Sequence, residues 1–168
     1  MKIESEKFVL RPLNISDADS LAGNADDKKI ADNLRAFPNP YTKKDAEEFI
    51  SAYSGKDNVL TISLDGKASG CIGWFQGHNV ERLSAEVGYW LGKEHRGKGI
   101  MTEAVKVLSR YIFDNTPIIR LYAVPFEYNP ASMRVLEKAG FTKLAVLRKA
   151  GFKNGKIFDL HYYELLKE

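Results

Sequence analysis

Hydrophobic and polar positions change period several times along the chain, and each change marks an element. Phe8, Leu10 and Leu13 bracket a first strand, after which Ser16-Asp17-Ala18-Asp19 reads as a capping box opening a short helix. Asp26-Asp27 marks a second helix start, and Pro38 and Pro40 break the chain. Thr42 with Asp45 three residues on caps a clearer helix, whose apolar positions Ala46, Phe49, Ile50 and Tyr53 recur at helical spacing. From Val59 the pattern turns to β-formers. Residues 59–64 read as a strand, Asp65-Gly66 as a hairpin turn, and residues 69–76 as the return arm, where Gly70 and Gly73 signal a bulge or a close backbone approach.

Residues 85–91 alternate, with Val87, Tyr89 and Leu91 on one face and Glu86, Gly88 and Trp90 on the other. A helix over about 102–114 follows, carrying apolar Ala104, Val105, Leu108, Tyr111 and Ile112, and residues 118–124 then read as a buried strand. A strand–helix–strand unit favours parallel pairing of its two strands. Asn129-Pro130-Ala131-Ser132 is a helix start, with Asn129 as N-cap and Pro130 in the first turn, and Gly140 closes that helix. Two β-rich runs, 143–148 and 156–166, meet at an Asn154-Gly155 hairpin. The sum is a mixed α/β (α+β) domain spanning 1–168, without internal repeat or linker.

Composition narrows the function classes. A formal net charge of +3 with no dense Lys/Arg tract suits a mildly basic pocket for an anion and does not point to a nucleic-acid surface. Cys71 is the only cysteine, so no disulfide forms within the chain and no cysteine cluster holds a metal. The first ten residues mix charges without a long apolar core, so no signal peptide, transmembrane span or membrane partner is expected, and the expected location is cytoplasmic.

Between the strand and the helix lies Glu94-His95-Arg96-Gly97-Lys98-Gly99-Ile100-Met101-Thr102-Glu103. Glycines let backbone amides approach a ligand, a helix N-terminus offers unpaired N–H groups, and Arg96 and Lys98 add charge, so the stretch reads as a phosphate or pyrophosphate cradle. The dinucleotide fingerprint lacks its third glycine, since Thr102 stands there. The Walker A pattern fits from Gly92 to Lys98 but has Gly99 in place of the hydroxyl that binds Mg²⁺. A tight turn without a ligand is the remaining local reading.

The stretch from Arg96 to Met101 resembles the [Q/R]-x-x-G-x-[G/A] acyl-coenzyme A loop of the GNAT superfamily of N-acetyltransferases, with Met101 where Gly or Ala is usual. Phe8-Val9-Leu10-Arg11-Pro12-Leu13 is similar to that family's opening strand, and Glu86-Val87-Gly88-Tyr89-Trp90-Leu91 to the strand before the loop. Asn129-Pro130-Ala131-Ser132 and Glu137-Lys138-Ala139-Gly140-Phe141 are similar to its later helix and exit. Together these resemble the ribosomal-protein (Rim-type) branch of N-terminal acetyltransferases. The resemblance implies a central mixed, splayed sheet of about seven strands flanked by helices, with acetyl-CoA as cosubstrate and no metal. It implies pantetheine contacts from Trp90, Leu91, Asn129 and Ser132. It places pyrophosphate against Arg96, Gly97, Lys98, Gly99, Ile100, Met101 and Thr102.

Acetyl transfer to an amine needs a neutral nucleophile, stabilisation of the oxyanion and protonation of the leaving thiolate. Glu86, on the strand leading to the loop, is the candidate base; an ion-paired strand carboxylate is its alternative role. Many superfamily members use a Tyr where this chain has Leu136, and Rim-type members use the serine that Ser132 matches, so Ser132 is the implied acid. Some Rim-type enzymes carry a catalytic Glu where Gly151 stands. His78, His95 and His161 lack ligand spacing. Cys71 reads as core, and Trp74, Phe75 and Trp90 as core or acceptor-site walls. The expected reaction is transfer from acetyl-CoA to a small-molecule amine or a protein N-terminus in a ternary complex. A non-catalytic coenzyme A-binding module and a P-loop-like nucleotide-binding protein are the alternatives. The identity of the acceptor and the oligomeric state, a homodimer included, stay open.

Overall fold

The computed structural model describes all residues, Met1–Glu168. Strands β1 (Ile3–Glu4) and β2 (Val9–Pro12) precede helices α1 (Ala18–Ala25), α2 (Lys28–Asn33) and α3 (Lys43–Tyr53). Then come β3 (Val59–Leu64), β4 (Lys67–Gln76), β5 (Ser84–Leu91), α4 (Ile100–Asn115), β6 (Arg120–Ala123), α5 (Pro130–Lys138), β7 (Thr142–Lys153) and β8 (Lys156–Leu166). The sheet order is β1-β2-β3-β4-β5-β6-β8-β7. Strands β1 to β4 pair antiparallel in turn, as do β6 with β8 and β8 with β7, whereas β5 and β6 run parallel as the crossover predicted. The strand beyond the expected seven is β1, whose two residues are too few to show a period in sequence.

The chain forms two compact units. One comprises Met1–Trp74 with Gly88–Ala104, and the other Phe75–Val87 with Val105–Glu168.

In the first unit, Leu13, Leu21, Ile30, Ile50, Cys71 and Trp90 belong to one buried cluster. The Thr42 and Asp45 capping box is present as predicted. The earlier box is displaced: Asn14 rather than Ser16 is the cap, paired with Asp17 rather than Asp19. The cause is Arg11, which holds the buried Asp17 carboxylate through two bonds of 2.8 and 2.7 Å, so that Asp17 also accepts the Asn14 N–H at 2.9 Å. In β4 both glycine signals materialise together. Ile62 faces Gly70 while Ser63 faces Ala68, which leaves Ser69 as the extra residue, and a Cβ on Gly70 would lie 2.5 Å from the Trp90 carbonyl oxygen.

The predicted alternation of β5 fails at its end. Ala85 and Val87 are buried, but then Trp90 and Leu91 are both buried while Tyr89 is only half-buried. Trp90 joins the helical cluster and Leu91 packs against the close-approaching Gly70 position, so neighbouring residues are covered on both faces.

In the second unit the β6 ladder covers only Ser84–Glu86 of β5, opposite Arg120–Tyr122. Strand β6 is shorter than predicted. The Ile118 N–H bonds Thr116 Oγ1 and the Ile119 N–H bonds the Leu83 carbonyl, so these residues belong to the turn. Strand β7 is longer than predicted, since register shifts at Lys143/Ala145 and Leu147/Gly151 scramble the period-two pattern that marks a strand in sequence. Helix α5 is tied to β8 by Tyr163, whose hydroxyl donates to Glu137 Oε1 at 2.9 Å. Burial, then that carboxylate, pushes the Tyr163 phenol up to about 12.

Candidate active site

The glycine turn is built by backbone conformation. Arg96 is extended, and Gly97 and Gly99 take φ of 76° and 77°, a region that side chains resist by about 1 kcal/mol or more. Residues Gly97, Lys98 and Gly99 are exposed, and nothing lies within 4 Å of the Cβ position on Gly97. Helix α4 begins at Ile100, two residues before the predicted start, because Gly99 already accepts the Glu103 N–H at 3.1 Å. Gly99 has no side chain with which to cap that helix. Ile100 and Met101 are buried. The methionine that departs from the family pattern therefore packs inside the unit.

Arg96 does not hold its charge free. Its Nε donates to the Leu91 carbonyl at 2.9 Å and its Nη2 to Asp27 Oδ2 at 2.7 Å, which staples the turn to the end of β5 and the start of α2. Asp27 Oδ1 meanwhile accepts the Lys29 N–H at 2.8 Å and caps α2. Burial pushes the Asp27 carboxyl up, but the Lys29 N–H and the Arg96 guanidinium outweigh it and hold the group below its ordinary value. Two lysines supply the outward charge instead. Lys98 is exposed on the turn, and Lys7 Nζ lies 3.9 Å from the Cβ position on Gly99. Glu103 gathers this edge, with Lys7 Nζ 3.8 Å from Oε2 and the Ser5 hydroxyl donating to Oε1. The sequence marks Asp27 only as a helix start, which it is, and does not mark Lys7; 69 positions separate Arg96 from Asp27 and no local pattern spans them. Trp90 and Leu91 have buried side chains, and Thr102 is half-buried.

In the second unit Asn129 caps α5 as predicted, its Oδ1 accepting the Ser132 N–H at 3.2 Å. Asn129 and Ser132 are thus joined, and Ser132 stands half-buried in the first turn. Leu136 is fully buried one turn on. A Cβ on Gly151 would lie 2.1 Å from Phe158 Cε2, and Phe158 is buried with Phe126 and Leu160, so the ring fills the space that a side chain at 151 would need. Glu86 is half-buried on β5, opposite Tyr122 in register. Burial and then the Glu86 carboxylate push the Tyr122 phenol up, with Arg120 opposing.

The remaining candidates sort by burial. Cys71 is buried and its thiol is pushed up by desolvation, which suits packing and not nucleophilic attack. Trp74 is buried, Phe75 is 43% exposed, and Trp90 meets Phe37 edge-on. His161 Nδ1 is buried without a hydrogen-bond partner. No group of three His, Cys, Asp or Glu side chains is placed to hold a metal, and no helix is long and apolar enough to cross a membrane.

An exposed, doubly left-handed glycine turn leads from a strand into a helix N-terminus, a geometry that suits an anion, and comparison with known proteins gives the chain a family. The family model for the acetyltransferase (GNAT) domain matches residues 7–142, and the chain belongs to that family and is an N-acetyltransferase. It is 34% identical over 165 residues to the probable N-acetyltransferase YjcK of Bacillus subtilis (strain 168), covering 91% of this chain and 90% of that protein. It is 37% identical over 108 residues to the putative ribosomal N-acetyltransferase YdaF of the same organism, covering 63% of this chain and 57% of that protein. Among solved structures it is similar to the microcin C7 self-immunity acetyltransferase MccE in complex with acetyl-CoA and AMP. That TM-score is 0.84 at 25% identity, over 97% of this chain and 94% of the other.

Proposed function

We propose that residues 1–168 act as one domain that transfers an acetyl group from acetyl-CoA to a primary amine, the acceptor attacking directly in a ternary complex. The observation that carries this reading is the turn at Gly97 and Gly99, whose exposed backbone and neighbouring Lys7 and Lys98 suit a pyrophosphate. The MccE structure, described as a complex with acetyl-CoA, supports the same cosubstrate here. Acetyl-CoA supplies the thioester carbonyl that an amine attacks. Arg96 contributes position, holding the turn, while the amides from Gly97 to Thr102 receive the phosphates.

Glu86 takes a proton from the acceptor ammonium, directly or through one water, so that a neutral nitrogen lone pair forms the new N–C bond. Ser132 donates its hydroxyl proton to sulfur as the C–S bond breaks, and the second proton shed by the nitrogen as it becomes an amide returns to Ser132 through water. A thiol titrating at about 8.5 needs only a modest donor, and an α-amine at about 8 needs less help from a base than an alkyl ammonium at about 10.

The test follows free thiol released from acetyl-CoA across an amine and peptide panel. Glu86→Gln and Ser132→Ala are each expected to lower kcat by about 100-fold while acetyl-CoA still binds. Wild-type rates in both variants would remove these two roles.

A further inference from the structure

We propose that the half-buried face of β5, β6 and β8 in the second unit is the acceptor subsite, and that it takes an acceptor carrying a second ammonium besides the amine to be acetylated. The inference rests on the acetyl-transfer reading and names its substrate class.

Strand register assembles the surface. Glu86 faces Tyr122 across β5 and β6, and Tyr122 faces Glu164 across β6 and β8, so these three side chains form one row on one side of the sheet. Arg120 and Tyr162, each two residues along its strand, share that side. The Tyr122 and Tyr162 rings stack at 5.5 Å with an interplanar angle of 8°. Arg120 lies over both rings, at 5.4 and 5.6 Å, and donates from Nε to Glu164 Oε2 at 2.7 Å.

The opposite face is where this unit's helices attach. Leu121, Ala123 and Tyr163 are buried there, with Tyr163 bonded to Glu137 of α5 and Lys167 bonded to the Phe113 carbonyl of α4. The row is left half-buried, in reach of a small molecule. Its chemistry is selective. The stacked phenols give an aromatic patch for methylene groups, and two carboxylates, Glu86 and Glu164, share the row with one guanidinium, which pairs with Glu164 and leaves the row with net negative charge. An anionic or purely apolar acceptor gains little on such a surface, whereas an alkyl chain ending in an ammonium meets both its rings and its charge.

The full chain is assayed by thiol release from acetyl-CoA with diaminobutane and with butylamine, which match in length and differ by one ammonium. The expected result is a kcat/KM about tenfold higher for the diamine, lost in Glu164→Gln and in Tyr162→Leu through KM, with the KM for acetyl-CoA unchanged. Equal values for the two amines in the wild type, or variants that slow both amines alike, would overturn the inference. A panel with no thiol release at all would instead strike the acetyl-transfer reading. Binding then decides the inference separately: diaminobutane alone should raise the Tm of the wild type and not that of Glu164→Gln, and no rise in the wild type overturns it.

Discussion

Two turns in this chain do the same topological job, carrying a strand of the sheet into a helix, and they treat the helix N-terminus in opposite ways. At the start of α5, Asn129 lends its side-chain oxygen to the Ser132 N–H, and Pro130 removes one further donor. That terminus is closed from within the chain. At the start of α4, Gly97 and Gly99 take left-handed conformations, and the cap position has no side chain to offer. Of the turn's two basic side chains, Lys98 is exposed and Arg96 is turned back onto Asp27 and the Leu91 carbonyl. The difference teaches how the proposed pyrophosphate site would be made, by withholding a side-chain cap. Turning the arginine inward makes it a fastener for the backbone that presents the amides.

The comparison breaks most sharply if the first turn is made to resemble the second. Gly99→Asp puts a carboxylate beside the first amides of α4 and opposes the pyrophosphate directly. The KM for acetyl-CoA is expected to rise by about 100-fold, since like charges juxtaposed in a binding site cost several kcal/mol. Gly99→Ala, carrying only the conformational strain of φ 77°, separates strain from charge and should fall well short of that rise. An unchanged KM in Gly99→Asp would mean that the phosphates bind elsewhere.

The second turn gives a smaller effect in a different quantity. Asn129→Ala should lower stability by about 1 kcal/mol through loss of the cap, read as a fall in Tm, whereas Asn129→Ser keeps an oxygen for the Ser132 N–H and recovers most of it. If Asn129 also binds pantetheine, the alanine variant raises the KM for acetyl-CoA and the serine variant does not restore it.

What was legible in the sequence follows the length of the interactions involved. The caps at Thr42 and Asn129, the turns at Asp65-Gly66 and Asn154-Gly155, and the glycine turn all depend on groups within a few residues of one another, and residue type alone announces them. Pairings and packing that no run of residue types announces were not legible. Arg11 moves the first cap from Ser16 to Asn14 by seizing Asp17, bulges hide half of β7, and packing on both sides breaks the alternation of β5 at Trp90 and Leu91. The candidate site divides in the same way. Glu86, Ser132 and the glycines stand out by motif, but Lys7 and Asp27 meet the turn only once the chain is folded, and Glu86, Tyr122 and Glu164 form a row only once strands are in register.

The smallest expected effect tests the inward arginine. Asp27→Asn keeps Oδ1 to cap α2 but sets an amide N–H against the Arg96 guanidinium, so it removes the ion pair without removing the cap. Both partners are partly exposed, with side chains 30% and 21% accessible, which limits the loss to about 1 kcal/mol or less. The pH dependence identifies it. Asp27 is held below its ordinary 3.8, so the wild type keeps this stabilisation at neutral pH and loses it as pH falls through the lowered value. The stability difference between wild type and variant should therefore be full at pH 7 and shrink in acid below pH 3.8. The KM for acetyl-CoA separates the two roles of Arg96. As a fastener, Arg96 freed from Asp27 lets the turn loosen and KM rises; a fall in KM would show that its charge had been the useful part, and the contrast between the two helix starts would then lie in side-chain charge rather than in an open backbone.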